Sequence, residues 1–302
     1  TANAEQVGFD LQLSAQRGVL QLFLLGPGPL LPLLLGQLLQ RLQAPPAEVW
    51  SQALRLAQQA SDTAQMPLRQ MLGRLPELFE AGAAPLPAAT ASELQDAYQL
   101  NGFTAQLLGV APTEQARITA LFSATTALAL DLPSGLPSSG RYWRAGQVDT
   151  AEACVVLFCP LASPTAHHEA GWRLLAHCYQ GPFFQRLRSE LQLGYGVFCG
   201  FRQVQGQAGI LFAVQSPHAS TEQILGHIED FVQAQGERLA GLDEGAIAQA
   251  AAQVQAQLQS AAGNLSDFAE QHWLLHLAGL PASHATAVVQ ALEGCERQAL
   301  LH

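Results

Sequence analysis

Histidine pairs are the first residues in this sequence whose types and spacing suit chemistry. A zinc hydrolase site of the inverted type needs H-x-x-E-H on a helix, where two imidazoles one turn apart hold the metal and the glutamate activates water. His272-Trp273-Leu274-Leu275-His276 has the histidine spacing, but Leu275 stands where the glutamate must be. His167-His168-Glu169 is followed by Ala170 and Gly171, which occupy the glutamate and second histidine positions. Neither stretch reads as a catalytic zinc site. Surface or helix-face histidines are the simpler reading, with a structural metal at His272 and His276 as the alternative.

Covalent and cofactor chemistries narrow in the same way. All 14 basic residues are arginine, so a Walker-type lysine, a Schiff-base lysine and a kinase-type phosphate-pairing lysine are all excluded. No G-x-S-x-G elbow occurs, and Cys154, Cys159, Cys178, Cys199 and Cys295 form neither C-x-x-C spacing nor a protease signature. Their odd number, with none in the first 150 residues, reads as buried free thiols in a reducing compartment. Gly194-Tyr195-Gly196-Val197-Phe198-Cys199 nearly spells G-x-G-x-x-G. Cys199 replaces the third glycine, and the run lies at a strand rather than a strand-to-helix turn, so no dinucleotide site is expected.

What remains is the run Phe183-Phe184-Gln185-Arg186-Leu187-Arg188-Ser189-Glu190-Leu191-Gln192-Leu193-Gly194-Tyr195-Gly196-Val197, with Gly206 and Phe212-Ala213-Val214-Gln215-Ser216 downstream. A helix delivers Arg188, and the turn after it places Tyr195 at the head of a strand. Arginine offers fixed donors and tyrosine a phenolic donor, so both suit gripping a peptide carbonyl or a developing oxyanion. On residue statistics alone, a surface arginine and a core tyrosine are the more ordinary reading.

The elements that must position these residues follow from composition and pattern. A chain of 302 residues, 49% hydrophobic and 13% charged, suits two domains with large cores and argues against disorder. Residues 7–13 and 19–25 read as paired strands, 30–42 and 45–61 as helices. Shorter helices at 65–80 and 90–100, a strand at 103–110 and a helix at 113–124 follow. The Pro/Ser/Gly-rich stretch 131–140 is the clearest linker and carries the domain boundary. Beyond it come strands at 142–147 and 153–159 and a helix at 165–179. Gly181-Pro182 then opens a second helical stretch to 191. A hairpin over 194–198 and 209–214 precedes helices at 220–238 and 242–259. Hairpin, long helix and second helix thus occur twice in the same order, which suggests duplicated α+β domains.

Charge and hydropathy exclude further classes. The net charge of −10 leaves no general basic surface for nucleic acid or an anionic membrane. Prolines and glycines break the leucine-rich run 18–42, so no membrane span and no signal peptide are expected there. Eight of the ten net negative charges fall between Gln203 and His302, which reads as the solvated face of a helical layer. The abrupt opening reads as a fragment of something longer, and the thiols and missing leader point to the cytoplasm.

The Phe183–Ser216 cluster resembles the C-terminal half of the pitrilysin/insulinase zinc metallopeptidases, whose pattern is F-x-x-L-R-[ST]-x-E-Q-L-G-Y-x-V followed by G-x-x-F-x-V-Q-S. Phe184, Leu187, Arg188, Ser189, Gln192, Leu193, Gly194, Tyr195, Val197 and Gln215-Ser216 match; Leu191 departs from the usual glutamate. The resemblance implies an α+β fold of two repeated domains, each a mainly antiparallel sheet packed on a layer of helices. Residues 1–131 would be the latter part of a third domain, 132–140 a linker and 141–302 a fourth domain. It further implies a clamshell endopeptidase whose zinc is bound by an N-terminal half and not by this chain. Arg188 and Tyr195 would face the scissile bond of a small peptide.

Among bacterial members, the compact, Ala/Leu/Gln-rich chain is most similar to the peptidases of pyrroloquinoline quinone biosynthesis. That implies a substrate like the precursor peptide PqqA, cut around its Glu-Tyr core. A non-catalytic partner subunit of a two-chain peptidase and a peptide-binding scaffold are the alternatives.

Overall fold

The computed structural model describes residues 8–16, 19–62, 67–76, 90–98, 102–123, 140, 143, 145 and 151–295. They divide into two compact units, residues 1–62 with 87–131 and residues 63–86 with 132–302. In the first unit, β1 (Asp10–Gln16) and β2 (Val19–Leu25) pair antiparallel, Asp10 opposite Leu25 and Gln16 opposite Val19. Gly26-Pro27 ends β2, and a single 3-10 turn leads into α1 (Leu31–Gln43), where Pro32 sits in the first turn and costs no helical donor. α2 (Ala47–Asp62) follows. The next helix in the chain, α3 (Pro67–Arg74), belongs to the second unit. α4 (Ala91–Ala97) opens on a reciprocal cap between Thr90 and Glu93, and α5 (Pro112–Leu121) closes the described part of this unit. Its core gathers Phe9, Leu31 and Ile118, with Leu24, Leu107 and Val110 packed against them.

Two expectations change here. Residues 103–110 do not form a strand, and only Phe103 makes a bridge. Gly109 turns the backbone to φ +64°, and Leu107 and Val110 deliver their side chains to the core without a ladder. The strand expected at 142–147 and most of the expected linker lie outside the described residues.

The second unit is built on an antiparallel sheet of order β3-β5-β4, made of β3 (Ala153–Pro160), β4 (Gly196–Val204) and β5 (Gln207–Ser216). Central β5 is buried from Gly209 to Ser216, because both faces of the sheet are covered. On one face Ile210, Phe212 and Val214 meet Tyr179, Phe183 and Leu187 from α6 (Ala166–Phe184) and the turn after it. Ile224, Ile228 and Phe231 of α7 (Thr221–Ala240) complete that core, with the Phe183 and Phe231 rings edge to face at 5.0 Å. Alternate residues Leu211, Ala213 and Gln215 point the other way, toward the face where α3 docks.

A second cluster joins α6 to α8 (Glu244–Ala262) and α10 (His284–Glu293), through Leu174, Ile247, Val254, Val288 and Leu292. Between them runs α9 (Leu265–Leu277), tied to β4 where the Gln203 side-chain amide donates to the Leu274 carbonyl at 2.6 Å. α9 and α10 lie beyond the expected helices, which end at 259. α10 is short, and its Val288 and Leu292 are legible as a core face only beside α8.

Gly181-Pro182 does not start a new helix. Pro182 lies inside α6, which runs without interruption to Phe184. Proline removes one donor and crowds the residue before it, and here that residue is Gly181, which has no Cβ to clash.

Candidate active site

α6 begins where the Thr165 hydroxyl accepts the His168 N–H, and it ends by widening. Gln185–Glu190 form a π-helical turn, and the Leu191 N–H reaches back five residues to the Arg186 carbonyl at 3.0 Å. Such widened turns recur at functional sites because they re-aim side chains without breaking a helix. Gln192 then takes the left-handed conformation at φ +52°, and the Leu193 N–H closes the end on the Leu187 carbonyl. Leu187, fully buried between α7 and the sheet, anchors the turn. Its neighbour Arg188 is half-buried.

The Arg188 Nη1 donates to the Gly194 carbonyl at 2.5 Å, and its Cζ lies 4.2 Å above the centre of the Tyr195 ring. Tyr195 itself is 86% exposed, so the core-tyrosine reading does not hold. A guanidinium over an aromatic face is held electrostatically, and the carbonyl bond fixes its orientation. Among the described residues Arg188 has no acidic partner and the Tyr195 hydroxyl has no hydrogen-bond partner. The pair therefore presents a cation and a phenolic donor outward, side by side. Arg186, by contrast, is neutralised by Glu190 at 2.8 Å. Those two and Gln185 face a groove of about 670 Å³ shared with His227, Asp230 and Arg238 of α7.

Both glycines flanking Tyr195 lie at close approaches. A Cβ on Gly194 would stand 2.0 Å from the Gln215 carbonyl oxygen, and one on Gly196 would stand 2.8 Å from Leu68 Cδ2. The Gln215 amide reaches two further segments. Its Oε1 accepts the Leu68 N–H at 3.1 Å, and its Nε2 donates to Glu152 Oε2 at 2.5 Å. Leu68 and Glu152 carry no signal in the sequence. Gln215 does, as an amide near the end of an otherwise apolar strand.

The other chemistry-bearing residues are engaged elsewhere. Glu169 is buried, accepting from Arg173 Nε and pairing with His284 Nε2, each at 2.8 Å. His272 Nδ1 contacts the Phe268 carbonyl at 3.0 Å, and the His276 ring lies 5.3 Å from that of Trp273. Among the described residues no group of three or more His, Cys, Asp and Glu side chains is arranged to hold a metal. All five cysteines are free thiols. Burial pushes Cys154 and Cys199 up to about 12 and raises Cys159, Cys178 and Cys295 as well, so none is a ready nucleophile near neutral pH.

This geometry can be set beside known proteins. The family model described as PQQ synthase PqqF, C-terminal lobe domain 3, matches residues 1–98, and PQQ synthase PqqF-like, C-terminal lobe domain 4, matches residues 174–273. The chain belongs to the PqqF-like family and matches its C-terminal lobe.

Coenzyme PQQ synthesis protein F of Pseudomonas syringae pv. tomato is 33% identical over 99% of this chain and 37% of its own length. The Pseudomonas aeruginosa protein of the same name is 34% identical over 90% of this chain and 33% of its own length. The chain thus spans about a third of the curated relatives it matches. Among solved structures, pitrilysin superposes with a TM-score of 0.64 at 19% identity, over 97% of this chain and 34% of its own. A putative M16-like peptidase from Alicyclobacillus acidocaldarius gives 0.58 at 14% identity, over all of this chain and 79% of its own. At these identities the likeness is one of fold, and that fold is the mixed helical and antiparallel pitrilysin architecture.

Pitrilysin-family peptidases are generally zinc-dependent. Among the described residues, Glu169 is committed to Arg173 and His284, and His272 to a backbone carbonyl, so neither is arranged to hold such a metal. No helix among the described residues is long and apolar enough to cross a membrane.

Proposed function

We propose that this chain is the non-zinc-bearing half of a clamshell zinc endopeptidase that cleaves small peptides, with a PqqA-like precursor as substrate. The observation that carries the reading is the Arg188–Tyr195 stack, anchored on the Gly194 carbonyl and turned outward. In this reading a zinc ion would be held entirely by the N-terminal half, where it would supply polarisation of the substrate carbonyl and activation of water. Arg188 and Tyr195 donate to the carbonyl oxygen and neighbouring backbone as charge develops, so they bind the transition state more tightly than the substrate. Residues 1–131 form the latter part of the third family domain and 141–302 the fourth, joined by 132–140. The matched spans 1–98 and 174–273 support that division. The site of action is the cytoplasm.

Combining the chain with the zinc-bearing half of a PqqF-like protein and a PqqA-like peptide tests the reading. Restored cleavage, lost again in Arg188→Ala, supports it. Cleavage that persists in Arg188→Ala makes the chain a non-catalytic partner subunit, and peptide binding without cleavage makes it a scaffold.

A further inference from the structure

We propose that Gln215 is a positioning residue for Arg188 and Tyr195, fixing the Gly194–Gly196 turn by holding α3 beneath it. The proposal rests on the peptidase reading above. Gln215 is only 9% exposed and sits near the end of the central strand, opposite Gly196 on one side and Cys154 on the other. A buried amide is costly unless both its donor and its acceptor are used, and here both are. Leu68 is the second residue of α3, so its N–H is one of the helix-start donors that the helix itself cannot satisfy. Pro67 ahead of it has no N–H to offer. Gln215 Oε1 thus caps a helix 147 residues away in sequence.

The consequence reaches the site through packing. The Leu68 side chain lies against Gly196, and the Gln215 carbonyl lies against Gly194. Both chain neighbours of Tyr195 therefore rest either on Gln215 or on the residue that Gln215 holds. The Gly194 carbonyl is also the acceptor that orients Arg188. Releasing α3 opens space under the turn, and tyrosine and arginine move with it. The polarity of the contact is specific: an acceptor toward Leu68 and a donor toward Glu152. An apolar side chain would fill the position but supply neither.

The test uses the complete peptidase with both halves and a peptide substrate. Gln215→Glu sets a carboxylate against Glu152, and we expect kcat at neutral pH to fall about 10- to 100-fold with KM little changed, the scale of a small misplacement of catalytic groups. Combining Gln215→Glu with Glu152→Gln restores acceptor and donor in swapped order, and should return kcat at neutral pH to near the wild-type value. Amide exchange at Leu68 and across the 194–196 turn should quicken in Gln215→Glu and slow again in the swap. A swap no more active than Gln215→Glu, or kcat losses that merely track thermal stability, would overturn the proposal. Should the wild-type protein cleave no peptide, the peptidase reading fails on its own. The exchange data then still decide whether Gln215 holds α3 and the turn: protection regained in the swap supports it, and unaltered protection refutes it.

Discussion

The Arg188 guanidinium carbon lies 4.2 Å from the centre of the Tyr195 ring while one of its nitrogens holds the Gly194 carbonyl. The ring holds the guanidinium from one side, and the Gly194 carbonyl holds one of its nitrogens. Tyr195 at 86% exposure has no packed wall around it, so its position depends on this stack and on the two glycines that flank it. Holding donors in place before the reaction avoids the reorganisation that solvent would require.

Arg188→Ala and Tyr195→Phe in the complete peptidase should each lower kcat by roughly 10²-fold, the scale of losing one preorganised donor. Arg188→Lys should lose nearly as much as alanine. An ammonium is a point donor and cannot both cover the ring and reach the carbonyl in a fixed plane. Steady-state kinetics on a defined peptide measure this, and wild-type turnover in a correctly folded variant refutes the role.

Gly194→Ala should destabilise the second unit by about 1–3 kcal/mol, the usual cost of overpacking, because its Cβ would meet the Gln215 carbonyl oxygen at 2.0 Å. Backbone cannot step aside there. Gly196→Ala should cost less, since its nearest obstacle is the end of the flexible Leu68 side chain at 2.8 Å. Urea unfolding midpoints compare the two, and an equal or reversed order contradicts the packing argument.

His284→Ala should cost about 1–3 kcal/mol, because it leaves a buried acceptor oxygen without its partner. Glu169 keeps its Arg173 contact in that variant. Arg173 also covers the Phe201 ring of β4 at 4.2 Å, so Glu169→Ala, which frees two donors at once, should be the more damaging change. Thermal melts check the order.

The thiols yield a pH prediction whose sign is definite. Burial raises Cys154 and Cys199 from 9.0 to about 12, so the folded state favours their neutral form. That contribution is complete below about pH 9 and is lost as pH climbs toward 12. Unfolding midpoints should therefore fall across that alkaline window. In native protein at pH 8, Cys199, the one buried thiol of the five, should react slowly with a thiol reagent and label fully only on unfolding. Rapid labelling of Cys199 in the native state would contradict its burial at 6% exposure.

The sequence was informative wherever the controlling physics is local. Turn chemistry and period place β2, α1, α2, α7, α8 and the start of α6 within a few residues, because proline, glycine and apolar spacing act over one or two turns of chain. Gly181-Pro182 misled for the same reason: a local breaker was overridden by Phe183 and Leu187, whose burial on either side of the junction holds the helix together.

By itself the sequence determined the α+β class, the lack of a lysine-based chemistry, and the choice of Arg188 and Tyr195 as the residues worth examining. Only the tertiary structure decided that Tyr195 stands in solvent rather than in a core, that α3 packs with the later unit, and that Gln215 joins Leu68 to Glu152. The last two outcomes depend on contacts between segments 63 to 147 positions apart. No local pattern encodes such contacts, because the cost of burying an amide or exposing a ring is set by neighbours that only folding brings into place.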